Sequence, residues 1–303
     1  MTVTTSGCSI GADALAAIKA GLEAANVDAD VVVAGNFVAT IRQLTGSCTY
    51  HVDRGAGVVG AKTVNAPGGP TIVFNYDIAS QTPAPELERL AAHEAGHVLL
   101  YGRAEHVSDY QHLVTNEADW HLLCVASFAA EEFRIESALP AFGYQPWTAD
   151  PAQHTVDALA ELNYQVISSV LGEPTVEQMR DKVLAAQDVF SKVLAYSAGA
   201  HVSGGPMNVQ SLAGDAAAEW NDLVGESWEN RLKLWRSLPD AWHATAEGQW
   251  PGTLVAGLAL ERQFLERLGF HYELTDEGLL FARTGSDELF NQRLERAQRD
   301  FPE

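Results

Sequence analysis

The segment His93-Glu94-Ala95-Gly96-His97 sets two imidazoles four residues apart inside a stretch, Pro83 to Tyr101, whose apolar positions Leu87, Leu90 and Ala91 recur at helical spacing. On a helix both rings leave one face a turn apart, so they can share a metal ion, with Glu94 beside the ion's open position. Two histidines do not complete such a site. Three protein ligands plus a water is the usual catalytic arrangement, so the fold must bring a second element across this helix. Gly96 fits that demand, because an interior helical glycine costs about 1 kcal/mol against alanine and close approach of another helix would account for it. Thr82 followed by Pro83 reads as the helix start, a capping hydroxyl before a proline, and Gly102 as its end.

A chain of 303 residues, 47% of them hydrophobic, is long and apolar enough to bury a sizeable core, and reads as a soluble globular protein. Lys and Arg number 19 against 40 Asp and Glu, a net charge of −21, so phosphates are repelled and neither nucleic acid nor anionic membrane is an expected partner. No apolar run approaches the roughly 18 residues that a membrane span needs, and the N-terminal segment lacks the basic start and unbroken apolar run of a secretory leader. Cys8, Cys48 and Cys124 form no CxxC pair and are too few for a disulfide scaffold. They are read as reduced thiols of a cytoplasmic protein in preference to a Cys8–Cys48 bridge.

The pattern along the chain predicts an α+β, predominantly helical fold. Residues 1–80 read as a small α+β portion: a helix over 11–25, then strands at Asp30–Ala34, Thr49–Val52 and Thr71–Tyr76, the last two separated by the Gly-rich segment 55–60 and the turn Ala66–Pro70. Residues 81–203 read as a helical metal-binding core, with a second helix from Asn116 or Glu117 to Leu139, capped by Asn116 and stopped by Pro140. The mainly helical remainder, 204–303, follows a candidate boundary at Ser203–Pro206 and either stands apart or packs as one domain with the core. Further helices are expected over 151–172, 174–198, 209–237 with breaks, 252–268 and 286–299, with a hairpin of 270–274 and 279–283. Trp220, Trp228, Trp235, Trp242 and Trp250 recur every seven or eight residues and are read as a buried helical stripe, interrupted by Pro239.

A third ligand is sought downstream of the motif. The metzincin extension is absent, since Leu100 and Arg103 stand where its Gly and His would be. His106 would require the chain to fold back over the metal. The acidic run Glu131-Glu132-Phe133-Arg134-Ile135-Glu136 on the second helix is the better source. Glu131 shares a stripe with Trp120, Cys124, Ser127 and Ile135, whereas Glu132 shares one with His121, Val125, Phe128 and Glu136, so periodicity alone does not choose between them. Only Glu132 has an acidic residue one turn on, which favours it. The other Glu is left to pair with Arg134 or face solvent, and Glu136 itself is open to reading as a surface acid. His121, eleven residues before Glu132 and so about 16 Å away along a helix, is assigned to structure or the cleft wall.

With these residues the sequence resembles the gluzincin branch of zincin metallopeptidases, and Glu-Phe-x-x-Glu is similar to the corresponding helix of anthrax lethal-factor-like peptidases. The resemblance covers residues 86–139. It implies a zincin-like core in which His93, His97 and Glu132 hold zinc, Glu136 orients a ligating histidine, and Glu94 activates water for amide hydrolysis of a peptide or small amide substrate. It also implies a Tyr or His that stabilises the oxyanion; Tyr101, Tyr110, His112, Tyr196, His201 and His243 are candidates that the sequence does not separate. Two other readings keep the metal: a non-haem iron or zinc enzyme that modifies a peptide or metabolite, because two His and one carboxylate suit iron as well, and a non-catalytic regulatory protein with a closed site. Walker, GxSxG and complete GxGxxG patterns are absent. Oligomeric state and substrate identity are not written in the chain.

Overall fold

A computed structural model describes residues 2–47, 59–146, 150–202 and 212–301. The expected strand at Thr49–Val52, residues 55–58 of the Gly-rich segment, Cys48 and the candidate boundary Ser203–Pro206 lie outside the described residues. Within them the chain is predominantly helical with two small sheets, an α+β arrangement. It divides into two compact units: residues 1–105, 135–146 and 240–244 form the first, and 106–134, 147–239 and 245–303 the second.

The first unit is built on strands β1 (Thr2–Ser6), β2 (Asp30–Ala34), β3 (Ala61–Ala66) and β4 (Gly69–Asn75), in the order β1-β2-β4-β3. The first three in that order run parallel and β3 is antiparallel to β4 at the end of the sheet. Helices α1 (Ala12–Ala24), α2 (Phe37–Thr45), the single turn α3 (Tyr76–Ala79) and α4 (Ala84–Gly102) complete it. Alternation in the strands sorts side chains to the two faces. Paired Val31 and Ile72, and Val33 and Phe74, join Ile18 and Leu22 of α1 and Leu87 and Ala91 of α4 in one core. Ala34, Val64 and Val73 point the other way, onto Phe37 and Ile41 of α2. Where α1 meets α4 the backbones nearly touch, for a Cβ on Gly21 would stand 2.1 Å from the Glu88 carbonyl oxygen.

β1, α2 and β3 are absent from the sequence expectations. β1 is largely exposed and carries little apolar alternation, and β3 mixes polar and apolar residues without strict alternation, whereas α2 does carry a signal, Phe37, Ile41 and Leu44 at helical spacing behind the Asn36 cap. The start of α4 also differs in detail. Thr82 does not cap it; its hydroxyl donates to the Ile78 carbonyl at 2.9 Å, and Pro83 is the N-cap with no side-chain cap. The helix therefore begins on proline's preset φ, with Pro85 in the first turn and the acidic Glu86 beside it.

Helix α5 (Glu117–Ala138) runs unbroken through the division, which falls between Arg134 and Ile135. Asn116 caps it, its Oδ1 accepting from Asp119 N at 2.9 Å, and a 3₁₀ turn at Leu139–Phe142 follows.

The second unit adds α6 (Pro151–Gly172), α7 (Val176–Val202), α8 (Gly214–Trp220), α9 (Glu226–Arg236), α10 (Gln249–Arg267), the hairpin β5 (Phe270–Thr275) and β6 (Gly278–Arg283), and α11 (Asp287–Asp300). Trp220, Trp228 and Trp235 meet edge to face, with ring centroids 5.3 and 6.2 Å apart, as one buried stripe. The eight-residue step from Trp220 to Trp228 is absorbed by a π turn at Asn221–Gly225, which takes up one extra residue and keeps both rings on one face. Trp250 is buried in the same core. Trp242 is not; it belongs to the first unit, where its Nε1 donates to the Ala25 carbonyl at 3.0 Å. Among the described residues no helix is long and apolar enough to cross a membrane.

Candidate metal centre

Helix α4 carries His93, Glu94 and His97, and the apolar residues around them explain why this stretch is helical and where it faces. Leu87, Ala91 and Ala95 are buried against the sheet, which leaves the histidines on an adjoining stripe. His93 and Glu94 are themselves only 7% and 5% exposed. The two imidazole centroids lie 5.3 Å apart, with the rings steeply inclined to each other. Ile135 of α5 packs on Gly96, the glycine between them.

Helix α5 supplies the acids. His93, His97 and Glu132 each offer one ligand atom, and these atoms lie within 4.8 Å of one another, so the group could hold a metal ion. The neighbouring acid turns elsewhere: Glu131 is buried and accepts from the Ser127 hydroxyl at 2.7 Å, on the stripe its spacing gave it. Glu131 thus does not face solvent, one of the two roles the sequence left it, and neither does Arg134. The arginine is wholly buried, donates Nε to the Pro239 carbonyl at 2.9 Å and lies over the Trp250 ring.

Glu136, one turn beyond Glu132, is no surface acid. It is 4% exposed and presents Oε1 to His93 Nδ1 at 2.8 Å. A carboxylate only accepts, so Nδ1 carries a proton in this contact, which leaves Nε2 as the nitrogen a metal would take. Its other oxygen pairs with the Arg89 guanidinium. Glu94 is held as well. The Thr63 hydroxyl of β3 lies 2.8 Å from Glu94 Oε2 and 3.0 Å from the Glu94 carbonyl oxygen.

No known protein family, curated protein or solved structure matches this chain. The donors themselves are therefore the guide to the chemistry. Two imidazoles and a carboxylate suit zinc or iron. Glu94, Glu132 and Glu136 are all buried, and the Arg89 guanidinium pairs with Glu136; burying acids costs heavily unless positive charge balances them, and a bound cation would contribute to that balance.

The remaining sequence candidates are not in this ligand group. His106 interacts with Ser108 and its ring lies near Phe128. His121 accepts from or donates to the Tyr272 hydroxyl at 2.9 Å and stacks on its ring, a structural role. Tyr110 and His112 pack on each other, His243 is exposed beside Asp240, and Tyr101 and Tyr196 are half-buried. The side chain of His201 lies outside the described residues. Cys124 is half-buried, and desolvation with Asp188 and Glu131 nearby pushes its thiol up to about 12, so it is not a nucleophile at neutral pH.

Arg89 and Thr63 are the two site residues that sequence reasoning does not find. Arg89 carries a signal, since it stands four residues before His93 on the same helical stripe. Thr63 carries none, being 31 residues from Glu94 on a strand whose residues show no strict apolar alternation.

Proposed function

We propose that the chain is a zinc-dependent hydrolase of the gluzincin kind, acting on peptides or small amides. What carries the reading is the meeting of His93, His97 and Glu132 in one ligand group, with Glu94 fixed beside it. His93, His97 and Glu132 would hold a zinc ion, which when bound would supply the Lewis acidity that polarises a substrate carbonyl and makes water easier to deprotonate. Glu94 accepts the proton of the attacking water on its carboxylate and delivers it to the leaving amine. Thr63 keeps that carboxylate from turning away, and Glu136 keeps the His93 ring in the tautomer with Nε2 as ligand nitrogen.

The peptide preference is supported by β3. This strand ends the sheet among the described residues and carries the Thr63 that touches Glu94. An extended chain that paired with β3 by main-chain hydrogen bonds would run past the general base.

The test begins with metal analysis of protein purified without added ions, which separates zinc from iron. Glu94→Gln should then keep its metal and lose cleavage of a peptide library by about 10²-fold or more. Undiminished hydrolysis by that variant would sink the assignment.

A further inference from the structure

Arg89 precedes His93 by one turn of α4 and reaches Glu136 rather than solvent. Its guanidinium pairs with Glu136 Oε2, while its Nε donates to the Gln145 carbonyl at 2.8 Å. The planar group is thus held from two sides, by the end of α5 and by the chain that follows it. Glu136 divides its oxygens between two partners: Oε2 takes the Arg89 cation and Oε1 faces His93 Nδ1 at 2.8 Å. Side-chain exposures of 14% for Arg89, 4% for Glu136 and 9% for His93 limit the access of water to the two Glu136 contacts, whereas the Arg89–Gln145 bond is exposed. A carboxylate gripped at one oxygen cannot rotate its other oxygen away from the imidazole, and charge-assisted bonds of this kind are the stronger ones.

We propose that Arg89 is a positioning residue of the metal centre: through Glu136 it holds the proton of His93 on Nδ1 and so presents Nε2 as the ligand nitrogen. The inference rests on the metal reading above and adds to it a residue that touches neither metal nor substrate. Partners in this outer position typically alter metal affinity by about 10–100-fold when removed. A fork-shaped guanidinium meets both the carboxylate and the Gln145 carbonyl, which an ammonium does not do with one planar group.

The experiment compares the full-length wild type with Arg89→Ala and Arg89→Lys by two measurements. Zinc affinity is read by competition with a chromophoric chelator, and the His93 tautomer by ¹⁵N chemical shifts of its ring in metal-free protein. The expected result is at least about 10-fold weaker zinc binding in Arg89→Ala, with a His93 ring that no longer holds the Nδ1–H form alone and partial recovery of both in Arg89→Lys. Zinc binding within about twofold of wild type, with His93 still in the Nδ1–H form, overturns the proposal. Should Arg89→Ala fail to fold, Arg89→Gln is judged by the same two criteria. A wild type that binds no zinc overturns the metal reading instead, and the tautomer comparison then decides the Arg89 contact by itself.

Discussion

A Cβ placed on Gly96 would stand 2.7 Å from Ile135 Cγ1 and 3.0 Å from Cγ2. These two residues let the metal-bearing face of α4 lie close to α5, as the interior glycine of the motif implies. Gly96→Ala gains about 1 kcal/mol in helix propensity but forces this contact apart, and overpacking costs about 1–3 kcal/mol. We expect net destabilisation in urea, and a smaller effect of the same change in an Ile135→Ala background. Equal costs in the two backgrounds would show that the contact is not the cause.

Thr63→Val keeps the shape of the side chain and removes the hydroxyl that faces Glu94 Oε2. Losing a hydrogen bond to a buried charged group costs about 1–3 kcal/mol, so the folded state should weaken by that order. Metal content should not change, because Thr63 touches no ligand of the group. Turnover should fall, with Thr63→Ser restoring much of it. Retained turnover in Thr63→Val would remove the hydroxyl from the working site.

In the second unit Arg231 pairs with Glu261, both at most 2% exposed, and Gln187 and Ser191 also donate to the Glu261 carboxylate, at 2.9 and 3.0 Å. Removing one partner strands the other charge, so Arg231→Met should cost about 3–5 kcal/mol. The double change Arg231→Met with Glu261→Met should cost less than the single one. Denaturation midpoints of the three proteins and of Glu261→Met decide it, and additivity of the two single changes would contradict the pairing.

Burial lowers His121 and His154 below their ordinary 6.5, against the opposing charges of Glu117 and Asp157 respectively. The unfolded chain therefore takes up protons first as pH falls. Stability from these groups is complete above about 6.5 and is lost as pH drops from there through the lower folded values. Glu219 works in the other direction, because burial raises its carboxyl above 4.5 and acid favours its folded form. The two histidines are isolated by comparing wild type with a His121→Gln, His154→Gln double variant at pH 7.5 and 5.5. The variant should lose less stability over that interval, and identical losses would show that neither histidine is held neutral by the fold.

Parts of the site are legible in the amino-acid sequence. The HEAGH helix, the Asn116 cap, the hairpin at 270–283 and the candidacy of Glu132 and Glu136 all follow from local patterns, which need only neighbours within a turn or two. Other parts are not. Spacing puts Glu131 and Glu132 on different stripes of one helix, but which stripe turns toward the histidines depends on how α5 is rolled, a long-range property. The tryptophan spacing predicts buried packing, and three members do form one stripe, while Trp242 leaves the series because the chain after Pro239 crosses into the other unit.

By itself the sequence determined that two histidines share one helical face with a glutamate beside them, because an α-helix fixes the geometry of residues four apart. Only the tertiary structure decided which acid joins them, that Glu136 faces His93, and that Arg89 and Thr63 hold Glu136 and Glu94. Those pairings link residues from 31 to 47 positions apart, and they arise from packing of sheet and helices that no local period encodes.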